Sequence, residues 1–125
     1  MTGAGAVSAL GAMLAQMAPA LDHRAWFFEV VEGDAPPDAF ALIREDEGTT
    51  AILAGERAGT PFARITLTVH SALEGVGLTA AVSGALAEAG IACNVVAGFH
   101  HDHIFVPWAR RDEALAILQR LAAIG

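Results

Sequence analysis

The chain has 125 residues, 54% of them hydrophobic and 17% charged, which is the size of one compact domain with enough apolar surface to fold; disorder is excluded over most of its length. Fourteen acidic residues against seven arginines and no lysine give a net charge of -7, a surface that repels phosphate backbones and anionic lipid and so argues against nucleic-acid and membrane partners. The single cysteine, Cys93, can close no internal disulfide and supply no cysteine-based zinc site, so the chain reads as cytoplasmic.

The first 21 residues carry no charged side chain. They also lack the cationic start of a secretory signal and the dense Leu/Ile/Val/Phe run of a membrane span. Leu10, Met13, Leu14 and Met17 recur at i, i+3, i+4 and i+7, which predicts an amphipathic helix stopped at Pro19. Trp26 to Val31 is an aromatic and β-branched run bounded by Gly33 and Pro36-Pro37, hence a strand. Phe40 to Glu45 and Thr50 to Ala54 read as two more, joined as a hairpin across Asp46-Glu47-Gly48. Gly55 to Pro61 reads as a loop.

In Arg64 to Val69 the apolar residues Ile65, Leu67 and Val69 alternate with Thr66, Thr68 and His70, the pattern of a strand with one face in the core. Leu78, Ala81, Val82, Ala85, Leu86 and Ala89 then form a helical stripe that Gly90 terminates. Cys93 to Gly98 and His103 to Val106 are strands joined by the turn at His100-His101-Asp102. From about Arg110 a closing helix places Ala114, Ile117, Leu118, Leu121 and Ile124 on one face, with Asp112 and Glu113 in its first turn, as the helix dipole favours. Helices and strands in this order imply an α+β protein, an antiparallel sheet covered by helices, in two related lobes.

The segment Glu74-Gly75-Val76-Gly77-Leu78-Thr79 joins strand to helix. Its glycines permit a tight turn, and the free N-H groups of the helix's first turn favour a small anion such as a carboxylate. The competing reading is that the glycines only let the chain turn and pack. Asn94, at the start of an apolar strand, requires a hydrogen-bonding partner, either a ligand or a neighbouring backbone group.

Glu74-Gly75-Val76-Gly77, the helix through Leu86 to Ile91, Asn94-Val95-Val96 and His103-Ile104-Phe105-Val106-Pro107 together resemble the ACT domain, in particular the regulatory ACT repeats of aspartate kinases and small stand-alone bacterial ACT-domain proteins. The resemblance is specific over residues 64 to 123. It implies a ferredoxin-like βαββα unit, pairing with a second ACT unit as a homodimer, and binding of an amino acid or similar small carboxylate effector, with no catalysis and no cofactor. Carried onto this chain, the ligand-binding positions are Glu74, Val76, Gly77, Leu78, Thr79 and Asn94. The family usually has Asp-x-Pro-Gly at this loop; here the acidic residue is one methylene longer and the stiffening proline is absent. The implied division is an N-terminal ACT-like lobe at residues 1-61 and a C-terminal ACT domain at 62-125.

Three rival readings accompany this one. A structural or interaction module of the same fold without a ligand would keep the architecture and lose the effector. His101 and His103 on one strand face, with His70, would make a metal-dependent enzyme; the alternative is a solvated hairpin turn. Ser71 with His70 or His101 lacks the spacing of a nucleophile elbow and equally fits a capping box with Glu74. Cys93 reads as a buried strand residue rather than a nucleophile, and Trp26, Phe27, Phe28 and Trp108 as packing rather than an exposed patch.

Overall fold

A computed structural model describes residues 10–69 and 77–124. The described chain opens with helical turns at residues 10–15. There follow β1 (Ala20–Val31), β2 (Ala41–Glu45), β3 (Gly48–Ala54), β4 (Phe62–Leu67), α1 (Leu78–Glu88), β5 (Asn94–Ala97), β6 (Asp102–Pro107), a 3-10 turn (Trp108–Arg110) and α2 (Arg111–Ile124). The strands form one six-stranded antiparallel sheet in the order β2-β3-β1-β4-β6-β5. The fold is α+β, and a ferredoxin-like unit is recognisable in β4-α1-β5-β6-α2, where the hairpin strand β6 lies between β4 and β5 and β1 flanks β4 on the other side.

β1 is the strand that welds the two lobes. Its second half, Trp26 to Val31, pairs with β3, and its first half, Ala20 to Trp26, pairs with β4. Only the second half is legible as a strand in the sequence, because Asp22-His23-Arg24 interrupts the apolar pattern. The structure absorbs those residues as an irregularity between the pairs Leu21↔Ile65 and Ala25↔Ala63: β1 advances four residues where β4 advances two. Such a bulge re-aims side chains without ending the strand.

Alternation along β4 decides the core as expected: Ala63, Ile65 and Leu67 are buried on the helix side. There they meet Val82 and Leu86 of α1, Leu118 of α2, Ile104 and Val106 of β6, and Met17. The stripe Met13, Leu14 and Met17 packs into the same core, and its chain end is tied to β4 where Thr68 N-H donates to the Met17 carbonyl at 2.9 Å. The opposite face carries a second cluster around Trp26, Ile52 and Phe105, joined by Phe40 and Phe62. Trp26 and Phe27 are buried, as packing residues should be, whereas Phe28 is 37% exposed.

Gly90 ends α1 with φ +70. Its N-H donates to the Ala87 carbonyl and that of Ile91 to the Leu86 carbonyl, a Schellman closure in which Leu86 and Ile91 are both buried. The guanidinium of Arg110 donates to the carbonyls of Ala89 and Gly90, each at 2.9 Å, and to Glu113, so the end of α1 is fastened to the start of α2. Gly98 is required at the β5-β6 turn, since a Cβ there would stand 2.9 Å from the His101 carbonyl oxygen.

Candidate functional site

Of the residues singled out at the strand-to-helix loop, Glu74 and Val76 lie outside the described residues, as do Gly75, His70 and Ser71. Gly77, Leu78 and Thr79 form the start of α1. Gly77 occupies the N-cap position at φ +105, a backbone setting that favours glycine, and it offers no side-chain cap to the first turn. No acidic side chain stands in that turn either. Among the described residues no side chain caps the first-turn N-H groups at this end. The side chain of Leu10 packs against the mouth: a Cβ on Gly77 would meet its methyl carbons at 3.3 Å. Leu78 is buried in the helix-side core and Thr79 is exposed.

Asn94 is the first residue of β5. It pairs with Phe105, which in turn pairs with Arg64, so it lies level with the middle of β4, while Leu67 at the end of β4 is level with Asp102 and Ala97. Three residues of strand separate the two levels, roughly 10 Å. The partner Phe105 belongs to the cluster on the helix-free face, so the Asn94 side chain projects away from α1. β5 is the edge strand, and Asn94 is exposed rather than buried. Its amide donates to the Phe105 carbonyl at 3.4 Å, which is the backbone alternative.

His103 Nδ1 lies 2.9 Å from the Thr66 hydroxyl, and its ring packs edge-on against Phe40 at 4.8 Å. Burial, with Arg64 and His101 nearby, holds its imidazolium form below the usual histidine range. Among the described residues no group of three His, Cys, Asp or Glu side chains is placed to hold a metal ion. Cys93 is half-buried and burial pushes its thiol up, the reverse of activation.

A constellation that the sequence reading did not single out lies at the β1 bulge. Asp22 accepts four hydrogen bonds: from the backbone N-H and Nε of Arg24 on Oδ1, and from Nη2 of Arg24 and Nη2 of Arg64 on Oδ2, at 2.8 to 3.1 Å. The hydrogen bond from Arg24, reinforced by both positive charges, outweighs desolvation and lowers its carboxyl from 3.8 to about 2. The Arg24 and Arg64 guanidinium carbons stand 4.8 and 4.7 Å from the Trp26 ring centroid, and Arg64 is also 4.6 Å from that of Phe40. An opening of about 290 Å³ beside them is lined by Ala20, Leu21, Asp22, His23, Arg64 and Thr66. The signal available in the sequence was the charged Asp22-His23-Arg24 triplet abutting a strand of aromatic residues, but its partner Arg64 is 42 positions away.

Family models of the ACT domain match the chain twice, over residues 5–61 and 63–120. A solved structure of a protein of unknown function from Vibrio cholerae, described as a possible transport protein, is 41% identical, with 94% of this chain and 96% of that chain covered at a TM-score of 0.75. A protein from Agobacterium tumefaciens shares the fold at 17% identity and a TM-score of 0.62, covering 79% of this chain and 82% of that one. No curated protein matches the chain. No helix among the described residues is long and apolar enough to cross a membrane.

Proposed function

Because the chain belongs to the ACT-domain family, whose members are regulatory modules that bind small ligands such as amino acids and commonly oligomerise, we propose that it is a small effector-binding regulatory protein and not an enzyme. On this reading residues 1–61 and 62–125 are its two ACT lobes, it acts in the cytoplasm as a homodimer, and it takes an amino acid or similar small carboxylate at the mouth of α1. The observation that carries the reading is the start of α1 behind Gly77 at φ +105, which no side chain among the described residues caps. Amide hydrogens at such an end favour a carboxylate. The residues proposed to hold it are Glu74, Val76, Gly77, Leu78 and Thr79; Asn94, whose side chain projects on the helix-free face, is left out. Leu10 offers an apolar surface beside Gly77, which suits an effector with an aliphatic side chain.

A ligand that binds only the folded form at a hundredfold excess over its Kd stabilises it by about 2.7 kcal/mol, a rise in Tm of several degrees for a domain of this size. A thermal-shift panel of the twenty amino acids at millimolar concentration, confirmed by calorimetry, tests the proposal; absence of any shift overturns it. The contact of Leu10 with Gly77 favours one second reading, a ligand-free interaction module whose helix mouth is covered by its own chain. Such a module holds a partner chain irrespective of added amino acid, which light scattering and pull-down with and without the panel would distinguish.

A further inference from the structure

An open sheet ends in two edge strands, here β2 and β5. An edge leaves a row of N-H and C=O groups without partners, and proteins that stay single guard it with proline, lysine, a broken register or a covering segment. β5 is short, with four residues, and its valines are half-buried. Among the described residues none of these devices guards β2. It holds no proline or lysine, and its register with β3 runs unbroken from Ala41 to Glu45. Leu42, at 45% exposure, and Ile43, at 43%, stand on opposite faces of the sheet, so this edge is apolar on both sides. Val30, 73% exposed, lies in the same row as Ile43 through the pairs Val30↔Thr50 and Ile43↔Thr50, and continues the apolar surface inward.

The phase of the backbone groups along β2 decides what fits there. Glu45 and Gly48 face each other across the two-residue turn Asp46-Glu47, as the hydrogen-bonded pair that closes such a hairpin. Hydrogen-bonded and non-hydrogen-bonded pairs alternate along an antiparallel ladder, so Ala41 and Ile43 turn their N-H and C=O toward β3 while Leu42 and Arg44 turn theirs outward. Phe40 is engaged inward as well, its N-H donating to the Ile52 carbonyl at 2.8 Å. A partner strand must therefore answer Leu42 and Arg44, two residues apart, and β2 of a second copy does so. With a two-fold axis at Ile43, Leu42 of each copy faces Arg44 of the other, and every outward N-H of both strands finds a carbonyl. No like charges are then opposed, because Arg44 faces Leu42 and Glu45 faces Ala41. An axis at Arg44 would set two guanidiniums opposite each other, and an axis at Leu42 would set Arg44 against Phe40, whose N-H is already taken. We propose that β2 is the contact surface for a second copy of this chain, paired antiparallel about Ile43 so that the two six-stranded sheets continue as one. The two Ile43 side chains meet at the axis as a close pair, with Cα atoms about 4.5 Å apart, and the aliphatic stem of each Arg44 covers the facing Leu42. This contact gives the proposed homodimer its surface, rests on that part of the reading, and makes no use of the effector.

Light scattering and sedimentation over a dilution series measure association of the full chain in the parent, in Ile43→Lys and in Leu42→Pro. Ile43→Lys sets two ammonium groups opposite each other at the axis, and Leu42→Pro removes an outward N-H without touching a bond to β3. A dimer is expected for the parent, with its Kd raised about tenfold or more by either change. Cross-linking reads the register. In a Cys93→Ala background, Ile43→Cys places two thiols within disulfide range and is expected to give a covalent dimer on mild oxidation, whereas Val30→Cys, two strands inward on each copy, is not. Should Leu42→Pro fail to fold, Ile43→Lys, at an exposed position, and the cross-link decide the matter. The proposal is overturned by a dimer that Ile43→Lys leaves as tight as its parent, or by Ile43→Cys linking no faster than Val30→Cys; the homodimer reading survives either result. A protein that stays monomeric throughout the dilution series overturns both.

Discussion

Replacing Asp22 by asparagine keeps the shape of the β1 bulge and removes its one negative charge. The Asp22 carboxyl sits at about 2 in the folded protein against an ordinary 3.8. At about 1.36 kcal/mol per pH unit that difference sets a ceiling of about 2.4 kcal/mol on its contribution at neutral pH. Arg24 is 48% exposed, and solvent screening of that half of the arrangement reduces the figure to about 1 to 1.5 kcal/mol. The direction with pH follows from the sign of the shift. A carboxyl lowered by folding stabilises the protein fully above its unfolded value and loses that contribution as pH falls through its folded value. The stability gap between the parent and Asp22→Asn is therefore expected to hold steady above about pH 4 and to close on the way through pH 2. Urea unfolding at pH 7, 4, 3 and 2 measures it, with a midpoint about 0.5 to 1 M lower for the variant at pH 7. The other acidic residues titrate in both proteins, so the difference isolates this one. A variant as stable as its parent at pH 7, or a gap that persists undiminished at pH 2, refutes the account of the bulge as a charge-aligned cluster.

Phe105 is fully buried and meets the rings of Phe28, Phe40 and Trp26 at 5.3, 5.9 and 6.4 Å; Phe105→Ala should cost about 3 to 5 kcal/mol in chemical denaturation, and a loss below 1 kcal/mol would mean the helix-free face contributes little to stability. Gly90→Ala meets no close atom, its nearest neighbour being the Arg110 guanidinium at 3.9 Å, so its loss of about 1 kcal/mol comes from φ +70 alone, and Gly90→Asn, which tolerates that region better, should recover part of it on the same denaturation curve. Arg110→Ala removes both bonds to the end of α1 and the pair with Glu113; about 1 kcal/mol of stability and faster amide exchange at Gly90 and Ile91 are expected, and unchanged exchange there would show that the Schellman closure suffices by itself.

Local rules were enough for much of this protein. The alternation of Ile65 and Leu67, the stripe through Val82 and Leu86, the stop at Gly90 and the hairpin across Asp46-Glu47 depend on neighbours within a few residues, because strand and helix periods and turn geometry are properties of short segments. With the family resemblance added, the α+β class and the two lobes could be stated without coordinates. The mouth of α1 was likewise marked by its glycines, although the packing of Leu10 on Gly77 joins residues 67 positions apart and leaves no local trace.

Three matters awaited the folded chain. β1 extends back to Ala20 because a charged triplet can stay in a strand when a bulge turns it toward a partner, and that partner, Arg64, is supplied by another strand. Asn94 projects on the helix-free face because pairing register, set by the whole sheet, fixes which side of β5 it takes. That β2 is left with an open edge follows only from the order of the assembled sheet. A sequence determines which segments are strands and helices, since that is decided by local periodicity; which charges meet and which donors are left unpaired is decided by contacts between distant segments, and only the tertiary structure brings those together.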